Sequence, residues 1–172
     1  MFFKGKIIWI VFAILCFLAF SSACGYRFAG GGSLPSGIKS VCVTILENRT
    51  SETGVENTFT NDLIYEFTRN GKIAGIDKAD ALLSGVVKSM SIETISHSGT
   101  HTSLERRVTF ALDLKLTDKD GRILWSTKGI SNNEAYDVAS DKLTTEQNRH
   151  NAISTLSTRL AEKVYNSLTE DF

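Results

Sequence analysis

Behind a strongly apolar N-terminus, the hydrophobic pattern of the chain predicts a strand followed by a helix. Lys39–Leu46 (KSVCVTIL) has the β-branched content and the length of a strand. Val55–Asn70 repeats a large apolar residue every four positions, at Phe59, Leu63 and Phe67. That spacing is typical of an amphipathic helix whose apolar stripe packs into a core.

The next part of the chain predicts three consecutive strands. Ala81–Ile95 is a long strand whose alternation shifts around Gly85 and Lys88, which indicates a bulge. Val108–Leu116 alternates strictly between apolar and polar residues, so one of its faces is buried and the other is wet. Arg122–Ile130 returns after a hairpin turn that ends in a glycine.

A polar loop and a second helix complete the predicted elements. Ser96–Ser103 is the loop between the first two of the three strands. The helix runs from about Thr145 to Thr169, and Thr144 and Gln147 form a capping box at its start. One face of this helix carries five apolar residues, Ile153, Leu156, Leu160, Val164 and Leu168.

The order β-α-β-β-β-α predicts an α+β fold, a two-layer sandwich in which both helices cover one face of a four-stranded mixed sheet. The last three strands form an antiparallel meander, and the first strand, which is joined through a helix, lies parallel to a neighbour. The other face of the sheet carries Thr109, Asp113, Lys115 and Thr127. It is polar enough to face water or a hydrated partner.

The N-terminus has the three parts of an export signal. Lys4 and Lys6 precede an apolar run of 14 residues, Ile7–Phe20, and small residues follow the run. A membrane-spanning helix needs about 20 apolar residues, so this run is too short to predict one. We therefore interpret residues 1–23 as a signal peptide that is removed from the mature protein.

Cys24 follows directly after the small residues of that signal, which is the position of the acylated cysteine in a bacterial lipoprotein. Lipidation of Cys24 would anchor the protein to a membrane, because two or more acyl chains give durable binding. Lipoproteins usually have an aliphatic residue three positions earlier, where this chain has Ser21. An ordinary secreted protein cut after Ala23, or an uncleaved anchor, is the alternative interpretation.

The residue after the cysteine, Gly25, is not the aspartate that retains lipoproteins in the inner membrane, so we expect outer-membrane localisation. Residues 24–37 then form the lipidated cysteine and a glycine-rich tether, and residues 38–172 form one α+β domain. Cys42 is the remaining cysteine, and we interpret it as a small buried hydrophobe. A disulfide from Cys24 to Cys42 is the alternative if Cys24 is not acylated.

The charge balance excludes a strong binder of nucleic acid. The chain has 19 basic and 19 acidic residues, a formal net charge of 0, and no run of like charges. Removing Lys4 and Lys6 with the signal peptide makes the mature protein slightly acidic. We therefore expect no nucleic-acid partner, and no cofactor other than the covalent lipid.

No motif in the sequence indicates an enzyme. The G-x-S-x-G nucleophile elbow is missing. His97 and His101 share a loop, but they have no third ligand nearby, so we predict no metal site. Asp118 and Asp120 lack the further oxygen ligands of a calcium loop, and a hairpin turn explains both of them. We expect no catalytic residues.

Three basic residues are candidates for an anion site. Arg106 and Arg107 open the strictly alternating strand beside the polar loop, and Lys128 lies on the returning strand, which we expect to pass close by. The arginine guanidinium binds phosphate groups through two parallel hydrogen bonds. These residues could hold the anionic head of a glycolipid, or they could be ordinary exposed charges.

Five short segments of the mature chain carry a family resemblance. They are Cys24-Gly25-Tyr26, Leu34-Pro35, Ile38-Lys39, Ala79-Asp80-Ala81-Leu82 and Leu124-Trp125. In the order and spacing of these segments the chain resembles the lipopolysaccharide-assembly lipoproteins, the LptE family. The resemblance spans essentially the whole mature domain.

The resemblance implies a role in building the Gram-negative envelope, without covalent chemistry. Members of the family plug the lumen of a large outer-membrane β-barrel, here an LptD-like translocon protein, and with it place lipopolysaccharide in the outer leaflet. They also help the barrel to assemble, and they bind lipopolysaccharide. We accordingly expect the loop Ser96–Ser103, with Arg106, Arg107 and Lys128, to contact the lipopolysaccharide head group.

Two other functions stay open at this point. The chain could be a structural or adaptor lipoprotein of another envelope complex, which the proteins that copurify with it would reveal. It could also be a small secreted metal-dependent enzyme that uses His97 and His101, which metal analysis of the pure protein would test.

Overall fold

The computed structural model describes residues 32–98 and 102–170. A short 3-10 helix, Pro35–Gly37, precedes the regular elements. These are strands β1 (Val41–Val43) and β2 (Glu47–Asn48), helix α1 (Val55–Arg69), strands β3 (Ala81–Ser98), β4 (Thr102–Asp118) and β5 (Ile123–Asp137), and helix α2 (Lys142–Glu170). The sheet order is β1-β3-β4-β5, and β2 pairs with β3 beside β1. The α+β fold with the predicted element order is confirmed.

The strands have the predicted directions. β1 and β2 run parallel to β3, whereas β3, β4 and β5 form an antiparallel meander. Parallel pairing of β1 with β3 requires a crossover connection, and α1 supplies it. Both helices pack on the same face of the sheet, so the apolar residues of β4 and of the two helices form one core.

The prediction of one strand over Lys39–Leu46 is wrong, because β1 covers only Val41–Val43 and a separate short strand, β2, follows at Glu47–Asn48. The backbone leaves the sheet after Val43 and returns at Glu47. Between them, the backbone N–H of Leu46 donates to the hydroxyl of Thr60 on α1, at 3.0 Å, instead of to β3. Leu46 is 2% exposed, so the break lets this side chain enter the core beneath α1.

The prediction of a loop over Ser96–Ser103 is also wrong. β3 continues to Ser98, which pairs with Thr102 at the start of β4. Residues 99–101, including His101 of the alternative metal-dependent enzyme, lie outside the described residues. β5 ends opposite Glu105, so β3 and β4 extend past it as a two-stranded hairpin end. The residues of this hairpin end are mostly polar, but they still pair as strands because the hydrogen bonds between strands come from the backbone.

The core packs aromatic residues of α1 against the sheet and against α2. The rings of Phe59 and Phe110 meet edge to face with centroids 5.2 Å apart, and those of Phe67 and Tyr165 do so at 5.3 Å. Edge-to-face contact places the positive edge of one ring against the negative face of the other, and it also buries apolar area. The five apolar residues predicted to line one face of α2 are all buried.

Part of the segment that the sequence assigns to a tether belongs to the folded body. Leu34 is 1% exposed and lies in the core cluster. Gly32 packs so closely against the last turn of α2 that a Cβ there would lie 2.4 Å from the Cβ of Thr169. The described chain is therefore fixed to the domain from its first residues, four or more positions before the predicted boundary at 38. Cys24 and residues 1–23 lie outside the described residues.

The helix ends follow local backbone chemistry. α1 ends in a Schellman motif: Gly71 adopts a φ of 64°, and the N–H groups of Gly71 and Lys72 donate to the carbonyls of Thr68 and Phe67. The capping box predicted at Thr144 is wrong, because α2 starts earlier, at Lys142.

Asp141 is the residue that caps α2. Its carboxylate accepts from the backbone N–H of Thr144 at 2.8 Å. This hydrogen bond lowers the pKa of Asp141. Among the described residues, no helix is both long enough and apolar enough to cross a membrane.

Candidate functional site

The candidate site lies on the sheet face that the helices leave open. Thr109, Asp113 and Lys115 lie on this face, as predicted, because they alternate with the buried leucines of β4. The prediction for Thr127 is wrong: Thr127 pairs directly with Leu114, which is 3% exposed, so it lies on the helix side. The strand register places mostly small residues on the open face, namely Ser84, Ser89, Ser91, Thr109, Ala111, Ser126, Ser131 and Asn133.

Two β-bulges meet near the middle of this face. In β3 the register shifts between Val87 and Ser89, so Lys88 is the extra residue. In β5 the two residues Lys128 and Gly129 lie opposite the single residue Asp113 of β4. Gly129 has a φ of 67°, a conformation that glycine adopts without strain. Each bulge thus interrupts the alternation and brings a lysine beside the same part of β4.

Asp113 on β4 connects the two bulges. One carboxylate oxygen accepts from the backbone N–H of Gly129 at 2.6 Å, and the other lies 3.3 Å from the ammonium of Lys88. The hydrogen bond from Gly129 is the main cause of the lowered pKa of Asp113, and Lys88 and Lys128 lower the pKa further. The carboxylate of Asp113 thus binds the backbone of the β5 bulge and the lysine side chain of the β3 bulge.

Arg49 completes a group that we call the bulge cluster: Arg49, Lys88 and Lys128 around Asp113. Arg49 pairs with Glu47 at 2.9 Å, and Glu47 is on the open face because it pairs with Val86. The pKa of Arg49 is raised mainly by its hydrogen bond to Glu47, with a smaller contribution from Asp113. The backbone N–H of Arg49 also donates to the carbonyl of Val87 at 3.0 Å, so Arg49 lies beside the β3 bulge.

The bulge cluster has an excess of positive charge. Its three cations face two carboxylates, those of Glu47 and Asp113, and Lys115 adds a fourth cation on the same face. The side chains of Arg49 and Lys88 are 62% and 54% exposed, so they can reach a ligand that lies on the sheet. The side chains around them are mostly small, so they do not block a ligand from reaching this part of the sheet.

The structure does not bring together the three basic residues that the sequence groups. Arg106 and Arg107 pair with Tyr136 and Ala135 near the end of β5. Lys128 is opposite Asp113, about six residues farther along β4, which is about 20 Å at strand spacing. Neighbouring strand residues also point to opposite faces, so only Arg107 shares the open face with Lys128. Lys128 belongs instead with Lys88 and Arg49.

Only one of the missed residues had a signal in the sequence pattern. The shift in alternation near Lys88 predicted its bulge, but nothing in the pattern of Arg122–Ile130 indicated a second bulge at Lys128. Arg49 lies in a loop whose residues match a glycosylation sequon. In the structure that loop is an Asx turn, in which the Asn48 side chain accepts from the N–H and the hydroxyl of Thr50 at 2.8 Å.

Other possible sites carry less chemistry. A shallow cleft of about 240 Å³ lies between β5 and α2, and one of the side chains that line it, Asn148, already donates to the Asp137 carbonyl at 3.0 Å. Cys42 is a free thiol, and it is half-buried rather than buried as predicted, because its neighbours Val41 and Val43 take the core side. Within residues 32–98 and 102–170, no three potential metal ligands gather.

The sequence matches one family over most of its length. Residues 38–168 match the model of the LptE family, described as lipopolysaccharide-assembly. No curated protein matches the chain.

Several solved structures share the fold at low sequence identity. Uncharacterized lipoprotein B from Nitrosomonas europaea superposes with a TM-score of 0.58 at 13% identity, over 84% of this chain and 90% of that one. The minor lipoprotein from Acinetobacter baumannii gives 0.56 at 12% identity, over 77% and 92%. Rare lipoprotein B from Shewanella oneidensis gives 0.53 at 16% identity, over 71% and 91%. At these identities the likeness concerns the fold alone.

Proposed function

Because the chain belongs to the LptE family of lipopolysaccharide-assembly proteins, we propose that it is an outer-membrane lipoprotein that plugs a lipopolysaccharide-transporting β-barrel. In this role the lipid on Cys24 anchors it on the periplasmic side of the membrane. The domain occupies the lumen of an LptD-like partner, helps that partner to assemble, and assists insertion of lipopolysaccharide into the outer leaflet. The function is non-catalytic.

The family match over residues 38–168 is the observation that carries this proposal. The open sheet face supports it, because barrel lumens are lined by polar residues and a plug needs a matching polar surface. Small hydroxyl side chains also suit a wide contact in which water bridges the two proteins. The neighbours of similar fold are described as lipoproteins, which agrees with acylation of Cys24.

Within this function, the bulge cluster is our candidate for the contact with lipopolysaccharide. Phosphate groups on the lipid head bind cations most strongly where several converge, and Lys88, Lys128 and Arg49 converge around one carboxylate. Arg107 lies on the same face and extends the basic surface toward the hairpin end. Arg106, on the other face, is the least suited of the three residues predicted from the sequence.

Purification from the native membrane tests the partner. The lipidated protein, extracted in mild detergent, should copurify with one large barrel protein in a ratio near one to one. The mass of the mature N-terminus should show an acylated Cys24. A different set of envelope proteins without a barrel would instead favour an adaptor of another complex, and an unmodified Cys24 would remove the anchor.

Paired substitutions test the lipid contact. Lys88→Ala with Lys128→Ala should weaken lipopolysaccharide binding in low salt by about tenfold or more, because two charge-assisted contacts are lost. Arg106→Ala with Arg107→Ala should weaken it less. The matched control, Lys119→Ala with Lys142→Ala, removes two positive charges elsewhere. If the control pair and the Lys88 and Lys128 pair have equal effects, the bulge cluster is not the contact.

A further inference from the structure

β3 is an inner strand of the sheet in its first half and an outer strand in its second half. β1 and β2 pair with it only between Ala81 and Val87, and the backbone N–H of Arg49 makes the last bond to this edge, to the Val87 carbonyl at 3.0 Å. From Ser89 to Ser98, within the part of the chain that the structure describes, β3 pairs with β4 alone. The second half of β3 therefore has an edge that no described strand covers.

The strand pairing fixes which backbone groups point into that edge. The N–H of Val138, just after β5, donates to the carbonyl of Leu104 on β4 at 2.8 Å. Backbone groups alternate in direction along a strand, so the even-numbered residues of β4 from 104 to 112 bond to β5 and the odd-numbered ones bond to β3. Met90 and Ile92 lie opposite even-numbered residues of β4. Their N–H and carbonyl groups therefore point away from β4, into the uncovered edge.

The edges of β1 and β5, in contrast, are already bonded by other parts of the domain. On β1, residues 72–74 bond to both backbone groups of Val41. On β5, side chains of α2 donate to two outward carbonyls, as Lys163 does to that of Ser131 at 3.0 Å. Such contacts, and lysine or proline on the edge itself, keep other strands from pairing there. The uncovered edge of β3 lacks these protections, because residues 89–95 contain neither lysine nor proline.

The side chains beside this edge determine what could pair with it. On the helix side, Met90 packs against the core, and Ile92 lies opposite a fully buried residue of β4. On the open face lie the hydroxyls of Ser89 and Ser91. A second irregularity of β3 follows position 94, so the regular part of the edge is residues 89–94, about 20 Å long. A matching strand would alternate apolar residues on the helix side with polar residues on the open face.

We propose that residues 89–94, which we call the open edge, pair with an extended segment of the barrel partner, which adds a strand to the sheet. The inference rests on the proposed function, which places the domain inside that partner. The strands of a closed barrel are already paired on both sides, so the segment comes from a loop or a terminal extension of the partner. Backbone hydrogen bonds supply the affinity, and apolar residues beside Met90 and Ile92 supply the specificity.

A second copy of the domain fits the open edge poorly. If two open edges paired antiparallel about a twofold axis, the residues of β3 after position 94 would lie opposite positions near 87 of the other copy. That part of the edge is already taken by β2 and by Arg49. The hairpin end of each copy would then collide with the other copy, whereas a separate segment can end before it reaches β2.

Proline substitutions test the pairing in the full lipidated protein, extracted with its barrel in mild detergent. Ile92→Pro removes an N–H that points outward, so the hydrogen bonds between β3 and β4 stay intact. Ala135→Pro is the matched control, because by the same alternation it removes an outward N–H from β5. Ile92→Pro should retain at least about threefold less barrel than the wild type, since a backbone hydrogen bond to the partner is lost. Ala135→Pro should retain as much as the wild type. Ile92→Thr, which keeps the N–H, should fall between them.

Hydrogen exchange measured by mass spectrometry gives a second readout, which stands even if Ile92→Pro does not fold. The amide protons of Met90 and Ile92 should exchange quickly in the free wild-type protein and about tenfold or more slowly in the complex, while that of Ala135 is unchanged.

The two proposals fail in different ways. Unchanged exchange at Met90 and Ile92 in a one-to-one complex would overturn the strand pairing and leave the proposed function standing, as would full retention of the barrel by a folded Ile92→Pro. A wild-type preparation that contains no barrel would overturn both. Slow exchange at these two amides already in the free protein would overturn the pairing as well, because another part of this chain, or a second copy, would then cover the open edge.

Discussion

The two faces of the sheet come from the same strands but differ in every physical respect. On the helix side, Phe110 and its neighbours on β4 are almost fully buried and meet aromatic rings from α1. On the open side, the residues between them are small, polar and partly exposed, and charges gather where the bulges lie. One face is buried in the core, and the other stays accessible to water.

We infer from this contrast that stability and binding depend on different residues of the domain. Burial of apolar area on the helix side supplies most of the folding free energy. Exposed ion pairs such as Lys88 with Asp113 contribute little to stability. Substitutions on the open face should therefore change binding without unfolding the protein, and substitutions on the helix face should do the opposite.

The sharpest test of the separation uses adjacent residues on β4. Phe110→Ala should lower the free energy of unfolding by about 3–5 kcal/mol, because it removes a buried ring and leaves a cavity. Thr109→Ala, on the open face, should change it by less than about 0.5 kcal/mol. Urea unfolding followed by circular dichroism measures both. Similar losses for the two variants would mean that the open face also carries stability.

A second test asks whether the segment before β1 belongs to the covered side. Leu34→Ala should lower the free energy of unfolding by about 2–5 kcal/mol, since Leu34 is buried in the core. Ser36→Ala, at an exposed neighbour, is the control. If Leu34→Ala unfolds at the same urea concentration as the wild type, residues 32–37 are a tether after all.

A third test concerns a close approach between β3 and β4, the strands that carry both faces. A Cβ at Gly85 would lie 2.4 Å from the carbonyl oxygen of Asp113, so Gly85→Ala should force β3 away from β4 and cost about 1–3 kcal/mol. Gly75→Ala, where a Cβ meets nothing within 4 Å, should be neutral or slightly stabilising. Equal unfolding midpoints for the two variants would contradict this close approach.

The smallest effect is expected for the carboxylate of the bulge cluster. Because the pKa of Asp113 is lowered in the folded state, its ionised form stabilises the fold above the ordinary aspartate pKa of about 3.9. This stabilisation by ionised Asp113 is lost as the pH falls through its lowered pKa. Asp113→Asn should thus be slightly less stable than the wild type at pH 7.

The difference between these two proteins should close in strong acid, which thermal unfolding at several pH values would show. Lipopolysaccharide binding by Asp113→Asn should become tighter at neutral pH, because one repulsive charge is removed. A stability difference that grows toward low pH would have the wrong sign for this account.

Much of the architecture could be predicted because apolar periodicity survives in the folded chain. The stripe of Phe59, Leu63 and Phe67 and the alternation of Val108–Leu116 both report side chains that are buried in the structure. The direction of β1 followed from its helical crossover. These features depend on local spacing, which a single sequence displays.

The wrong predictions share one physical cause: they concern positions that are set by contacts between residues far apart in the sequence. The break after Val43 depends on a hydrogen bond from Leu46 to a hydroxyl on α1. The wrong face for Thr127 follows from the register shift at Leu124, and the wrong neighbours for Lys128 follow from the antiparallel register, which places Arg106 and Arg107 opposite Tyr136 and Ala135. Only the pairing of strands decides such positions, and hydrophobic periodicity does not encode it.

The contact between Gly32 and Thr169 makes a circular permutation of the domain possible. The first and last described parts of the domain touch each other, so a short linker could join them. New termini could then open at the exposed turn between β4 and β5, in a circular permutant that keeps every strand pairing. We therefore expect the fold to tolerate this change in the order of its segments along the chain.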